Sequence, residues 1–272
     1  MKNVKAKTNE QIAMQVSANS IAVNLMLSIF KLIAGLMASS GAMISDAIHS
    51  ASDVFSTIIV IIGVKISGKA SDEDHPYGHD RFECVASIIL AILLGVTGVG
   101  IGLTGVQKLT AGHYDTLAVP GVLALAAAVI SIVVKEIMYW YTRNAAKKIN
   151  SGALMADAWH HRSDALSSVG SFVGIFGARM GFPMLDPLAS VVICLFVVKA
   201  AVDIFRDAIS KMTDKSCDQE TVNEMHDCIM NIQGVEGIDL LKTRSFGSKY
   251  YVDIEIKADG DKKLWEAHAI AE

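Results

Sequence analysis

Two stretches of this chain repeat one arrangement of metal-binding side chains. Asp46-Ala47-Ile48-His49-Ser50-Ala51-Ser52-Asp53 and Asp157-Ala158-Trp159-His160-His161-Arg162-Ser163-Asp164 both read Asp-x-x-His-x-x-x-Asp. On an α-helix residues four apart stand one turn above each other, so each copy offers an imidazole and a carboxylate on one face. Two such helices brought together would converge His49, Asp53, His160 and Asp164 on one point. Two nitrogen and two oxygen donors form a tetrahedral set that zinc accepts. A lone histidine on an apolar helix is more often a hydrogen-bonded structural residue. Ionisable groups near a bilayer centre cost at least about 2.5 kcal/mol each, however, and spending that twice at one spacing marks an ion pathway.

The helices that must carry these residues follow from composition. The chain has 272 residues, of which 52% are hydrophobic and 19% charged, and its mean hydropathy is +0.41, too apolar for an ordinary soluble domain. A membrane protein is implied. The net charge of -4 and the lack of a long basic run argue against a nucleic-acid partner. Cys84, Cys194, Cys217 and Cys228 are far apart with no Cys-x-x-Cys, which points to neither a disulfide framework nor a thiolate zinc site. The polar arm of residues 1–11 precedes an apolar stretch too long for a signal-peptide core, so the first span is expected to be retained.

Six apolar segments reach bilayer length: Ile12–Ala38, Gly41–Ser67, Phe82–Leu109, Leu117–Tyr141, Leu154–Gly181 and Pro187–Ile209. Lys2, Lys5, Lys7, Lys65, Lys69, Arg81, Arg143, Lys147, Lys148, Lys211 and Lys215 gather on one side, which predicts that both termini are cytoplasmic. Tyr139, Trp140 and Tyr141 are expected to anchor the inner end of the fourth span at the interface. Spans two and five then run in opposite directions, and each puts its His and Asp roughly 12 to 19 Å into a core about 30 Å thick. A midplane site of this kind suits transport with alternate access from either face. Asp46 and Asp157, one turn before each His, either orient the imidazoles or pair locally. Gly170-x-x-x-Gly174 and the glycines of span three would let helices approach closely.

Between spans two and three, Asp72, His75 and His79 stand at ligand-like spacings in Ser71-Asp72-Glu73-Asp74-His75-Pro76-Tyr77-Gly78-His79-Asp80. The segment reads equally as a solvated turn made by Pro76 and Gly78 or as a second cation site. From residue 213 the chain turns polar, with a helix over 219–231, strands over 235–243 and 250–257, and the start of another helix at Leu264. Three regions result: a cytoplasmic arm (1–11), a six-helix transmembrane domain (12–212) and a small α/β cytoplasmic domain (213–272) that reads as incomplete.

Together, the paired His-x-x-x-Asp motifs, Asp-Glu-Asp-His-Pro-Tyr-Gly-His at 72–79, the six spans and the α/β tail resemble the cation diffusion facilitator family over essentially the whole chain. That resemblance implies an α-helical membrane protein with a metallochaperone-like C-terminal domain. It implies a homodimeric antiporter, not an enzyme, that exchanges a cytosolic divalent transition metal for protons across the cell membrane, expected to be the bacterial cytoplasmic membrane. By the same resemblance His49, Asp53, His160 and Asp164 match the transport site, Asp72, His75 and His79 an accessory site, and Asp239 and His268 tail metal ligands. No prosthetic group is implied. A metal needs deprotonated ligands, so binding expels protons and protonation expels metal, which is the chemistry of such an exchange. The His2Asp2 set favours Zn²⁺ over Mn²⁺, and Cd²⁺, Co²⁺ and Fe²⁺ also fit it. A manganese or iron exporter, or a metal-sensing scaffold without flux, are the rival readings. An intramembrane metallohydrolase is disfavoured because no His-Glu-x-x-His occurs.

Overall fold

The computed structural model describes residues 8–37, 41–111, 122–179, 184–246 and 249–271. It falls into two compact units, residues 1–208 and 209–272.

Six long helices run through the first unit among the described residues: α1 (Asn9–Met37), α2 (Gly41–Ser67), α3 (Arg81–Ala111), α4 (Val122–Ile149), α5 (Gly152–Arg179) and α6 (Leu185–Met212), the last continuing past the unit's end. Their ends differ from the apolar limits because polar residues cap and extend them. Thr8 Oγ1 accepts from the Gln11 amide while Gln11 Oε1 accepts from the Thr8 amide, a capping box that starts α1 three residues before Ile12. At the other extreme, α4 runs on through Arg143 and Lys147. Asn150 then adopts φ 52°, Ser151 N–H donates to the Ala146 carbonyl, and Ser151 Oγ caps the Leu154 amide. Asparagine tolerates this left-handed conformation, and serine is a favoured N-cap, so two residues reverse the chain. The helices α4 and α5 thus form an antiparallel hairpin.

Burial in this unit is inverted relative to a soluble protein. Asn24, Lys31, Asp53, Lys135, Asp157 and His161 are buried, whereas Met26, Ile33, Phe55, Val96, Leu195 and Phe196 are exposed. Hydrocarbon is the solvent that selects such a distribution, since it solvates leucine and phenylalanine but not charge. Two helical stretches, Asn9–Ala34 and Arg81–Thr110, are long and apolar enough to cross a bilayer by composition alone. The other long helices carry ionisable groups along their length: Asp53 in α2, Lys135 and Glu136 in α4, Asp157 and Asp164 in α5, Lys199 and Asp203 in α6.

Small residues hold the bundle together. Ala13, Ala86, Ala91, Ala146, Ala153 and Ala156 are buried in one cluster with Val60, Leu94, Leu154 and Val197. A Cβ on Gly98 would meet Val197, one on Gly102 would overlap Cys194, and one on Gly105 would meet Pro187 and Ser190, so three glycines of α3 seat α6. The side chains around Gly170 and Gly174 lie outside the described residues.

In the second unit α7 (Gln219–Met230) begins at Asp218, whose carboxylate accepts from the amide and hydroxyl of Thr221. Those bonds hold the Asp218 carboxyl below its ordinary range. Strands β1 (Gly237–Phe246) and β2 (Lys249–Lys257) pair antiparallel, and α8 (Leu264–Ala271) follows. The register slips between Ile238 and Leu240, so Asp239 occupies a bulge.

Candidate metal centre

Three helices meet at their middles around one cluster of charge. Helix α2 contributes Asp53, α5 contributes His160 and Asp164, and α4 contributes Lys135. His160 Nε2 lies 3.4 Å from Asp53 Oδ1. The ammonium of Lys135 bridges the two acids, 2.5 Å from Asp53 Oδ2 and 2.8 Å from Asp164 Oδ2. Asp53 is 3% exposed and Lys135 1%, so neither charge is repaid by water. Ligand atoms of Asp53, His160 and Asp164 all fall within 4.8 Å of one another. Donors about 2.0–2.1 Å from a tetrahedral zinc stand roughly 3.3 Å apart, so a modest contraction would close this set on an ion. The side chain of His49, the fourth expected ligand, lies outside the described residues, as does that of Asp46.

Sequence reasoning passed over Lys135. Its signal is a lysine inside the fourth apolar run, in Ser131-Ile132-Val133-Val134-Lys135-Glu136, where an ionisable group is costly. The Asn150-Ser151 reversal supplies the rest, because Lys135 and Asp164 stand about equally far from the turn of an antiparallel hairpin.

One turn along, toward the C-terminus of α2 and the N-terminus of α5, a second polar layer is buried. Thr57 donates to Asp157 Oδ1 at 3.1 Å, and Asp157 Oδ2 stands 3.6 Å from His161 Nε2. Of the two roles expected for Asp157, local pairing is the one its contacts support: its imidazole neighbour at contact distance is His161, four residues on, rather than His160. Arg162 lies over the Tyr139 ring, 4.3 Å from its centroid, and reaches Glu136 at 3.6 Å. Tyr139 is therefore no interfacial anchor. It is 2% exposed and packs edge-on against Trp159, while Trp140 and Tyr141 remain exposed.

The loop residues do converge. Asp72 Oδ1 accepts from the His75 amide at 2.7 Å and lies 3.3 Å from His75 Nδ1, and Asp72 Oδ2 lies 3.4 Å from His79 Nε2. His79 is buried, with Nδ1 3.1 Å from the Ala70 carbonyl. A carbonyl only accepts, so Nδ1 donates to Ala70, which leaves Nε2 as the ring nitrogen that faces Asp72. Gly78, at φ 88°, makes the bend that returns His79 to the cluster. The His75 amide bond holds the Asp72 carboxyl below its ordinary range.

In the second unit Asp239 pairs with Lys257 at 2.6 Å, and His268 is exposed on α8. Among the described residues neither joins a group of three or more potential ligands.

A membrane-embedded bundle with carboxylates and an imidazole closing on one buried point belongs to the class of cation transporters. The sequence matches the cation efflux transmembrane domain over residues 17–213 and the cytoplasmic domain of cation efflux proteins over residues 217–272. An uncharacterised transporter of Methanocaldococcus jannaschii is 38% identical over 251 residues, covering 92% of this chain and 88% of its own. The manganese efflux system protein MneS of Bacillus subtilis is 34% identical over 252 residues (93% and 86%), and the magnetosome protein MamB of a Magnetospira strain 31% over 250 (92% and 84%). The chain belongs to the cation diffusion facilitator family. It is a multi-pass membrane transporter of divalent metal cations and not an enzyme.

Proposed function

We propose that the protein exports Zn²⁺ from the cytosol in exchange for protons, through a site made by His49, Asp53, His160 and Asp164. The observation that carries this reading is the convergence of Asp53, His160 and Asp164 from two helices within 4.8 Å, deep in a bundle whose outer face is apolar. All six long helices span the membrane in this reading, with both termini in the cytoplasm, and the protein works as a homodimer. Asp72, His75 and His79 then form a cytoplasmic accessory site that takes up metal before it enters the bundle. The polar face of α1 supplies a path, because the buried side chains of Ser17, Ser20 and Asn24 find no hydrogen-bond partner among the described residues and call for water.

Exchange follows from ligand chemistry. The metal binds deprotonated imidazole and carboxylate, and protons arriving from the far side compete for the same lone pairs. Nitrogen donors favour zinc over manganese, which prefers oxygen-rich octahedral surroundings. Manganese export is the second reading, favoured by the similarity to a relative named a manganese efflux protein.

Purified protein reconstituted in vesicles tests both. A pH gradient should drive Zn²⁺ uptake, Asp53→Asn and His160→Ala should abolish it, and parallel runs with Mn²⁺ and Fe²⁺ rank the cations. Metal bound without gradient-driven flux would overturn export in favour of a sensor.

A further inference from the structure

We infer that Lys135 is a tethered competitor of the transported ion: its ammonium holds Asp53 and Asp164 together in the metal-free protein and must leave both before a metal can bind. This rests on the reading of Asp53, His160 and Asp164 as the transport site.

Geometry carries the inference. The ammonium nitrogen sits 2.5 and 2.8 Å from one oxygen of each carboxylate, so it occupies the space between the acids that a metal would take. It is the position of a cation, filled from α4 by a residue on neither motif helix. Two buried carboxylates left without a cation between them would repel each other in a medium that screens little. Lysine suits the task better than arginine, because a compact ammonium on a flexible four-carbon stem makes point contacts that can be given up one at a time. Glu136, next in sequence, is directed elsewhere, toward Trp140 Nε1 at 3.0 Å and Arg162 at 3.6 Å, so among the described residues one lysine faces the two acids.

The consequence is weaker metal binding than the ligand set alone would provide. If the bridged form makes up about 90% or more of the metal-free protein, the apparent dissociation constant rises at least about tenfold. A transporter gains from this, since an ion held too tightly is not released. Lysine returning to the carboxylates helps expel the metal and leaves the emptied site neutralised for the return step.

Titration of the full-length protein in detergent with Zn²⁺ and with Mn²⁺ alone, at one fixed pH, tests the idea through the binding component that Asp53→Asn removes. Lys135→Gln should tighten that component at least tenfold, whereas Lys135→Arg, which retains a cation, should stay within about threefold of the native protein. A lysine with a purely structural role would give weaker binding in Lys135→Gln. Unchanged or weaker binding in a folded Lys135→Gln protein overturns the inference. Should that variant not fold, a structure of the native protein loaded with Cd²⁺ decides instead: the ammonium nitrogen is expected more than about 4 Å from both carboxylates, and its persistence on either one refutes displacement. If Asp53→Asn leaves the native titration unchanged, the transport-site reading falls and this inference with it. If Asp53 matters and Lys135→Gln brings no gain, only this inference falls.

Discussion

The acids and their neighbours set what removing a single group should do. Asp53 touches both Lys135 and His160, so Asp53→Asn removes a ligand and half of the lysine's anchorage together. Loss of an outer-shell partner alone typically weakens metal binding about 10–100-fold, and loss of this ligand is expected to exceed that in a metal titration. Among the described residues the hydroxyl of Thr57 reaches the site through Asp157. Thr57→Val should leave that buried carboxylate without its donor at a cost of about 1–3 kcal/mol, read as a lower melting temperature in detergent with Asp53-dependent metal binding retained. At the loop, the native bond from the His75 amide lowers the Asp72 pKa below its usual 3.8. A depressed carboxylate contributes stability that is present above the unfolded value and lost as pH falls through the lower folded one. Carboxyl NMR should therefore place the Asp72 midpoint below 3.8, and Asp72 should remain ionised throughout pH 5 to 8.

Helices bring these residues together through features smaller than the helices themselves. The Asn150-Ser151 reversal sets α4 against α5 in the register that faces Lys135 with Asp164. Glycines of α3 do the equivalent for α6, and they are not interchangeable. Gly102 lies against Cys194, whereas nothing stands within 4 Å of a Cβ at Gly100. Gly102→Leu should cost about 1–3 kcal/mol by overpacking. Gly100→Ala should be neutral or stabilising by up to about 1 kcal/mol, the helix-propensity difference between the two residues. Thermal unfolding of the two variants side by side checks the contrast.

At the scale of the molecule, the division between apolar bundle and polar α/β tail was plain in the amino-acid order, since hydropathy needs no contacts to be read. The helical spacing that singled out Asp53, His160 and Asp164 is likewise a local property, whereas at 72–79 a solvated turn and a cation site read equally well until the structure brought Asp72, His75 and His79 together. Helix ends were less legible, because capping by Thr8 and Ser151 depends on single hydrogen bonds rather than on hydropathy. Lys135 entered only with the tertiary structure. Nothing in a span's own periodicity says which neighbour a buried charge will meet, and that partnership depends on two helices packing in one register so that residues 29 apart in sequence face each other. Tyr139 makes the same point: an aromatic cluster at a span's end looks like an interfacial anchor until α5 places Trp159 and Arg162 against one of its rings. Local spacing determined which groups this chain could bring to a metal, and long-range packing decided which cation already sits among them.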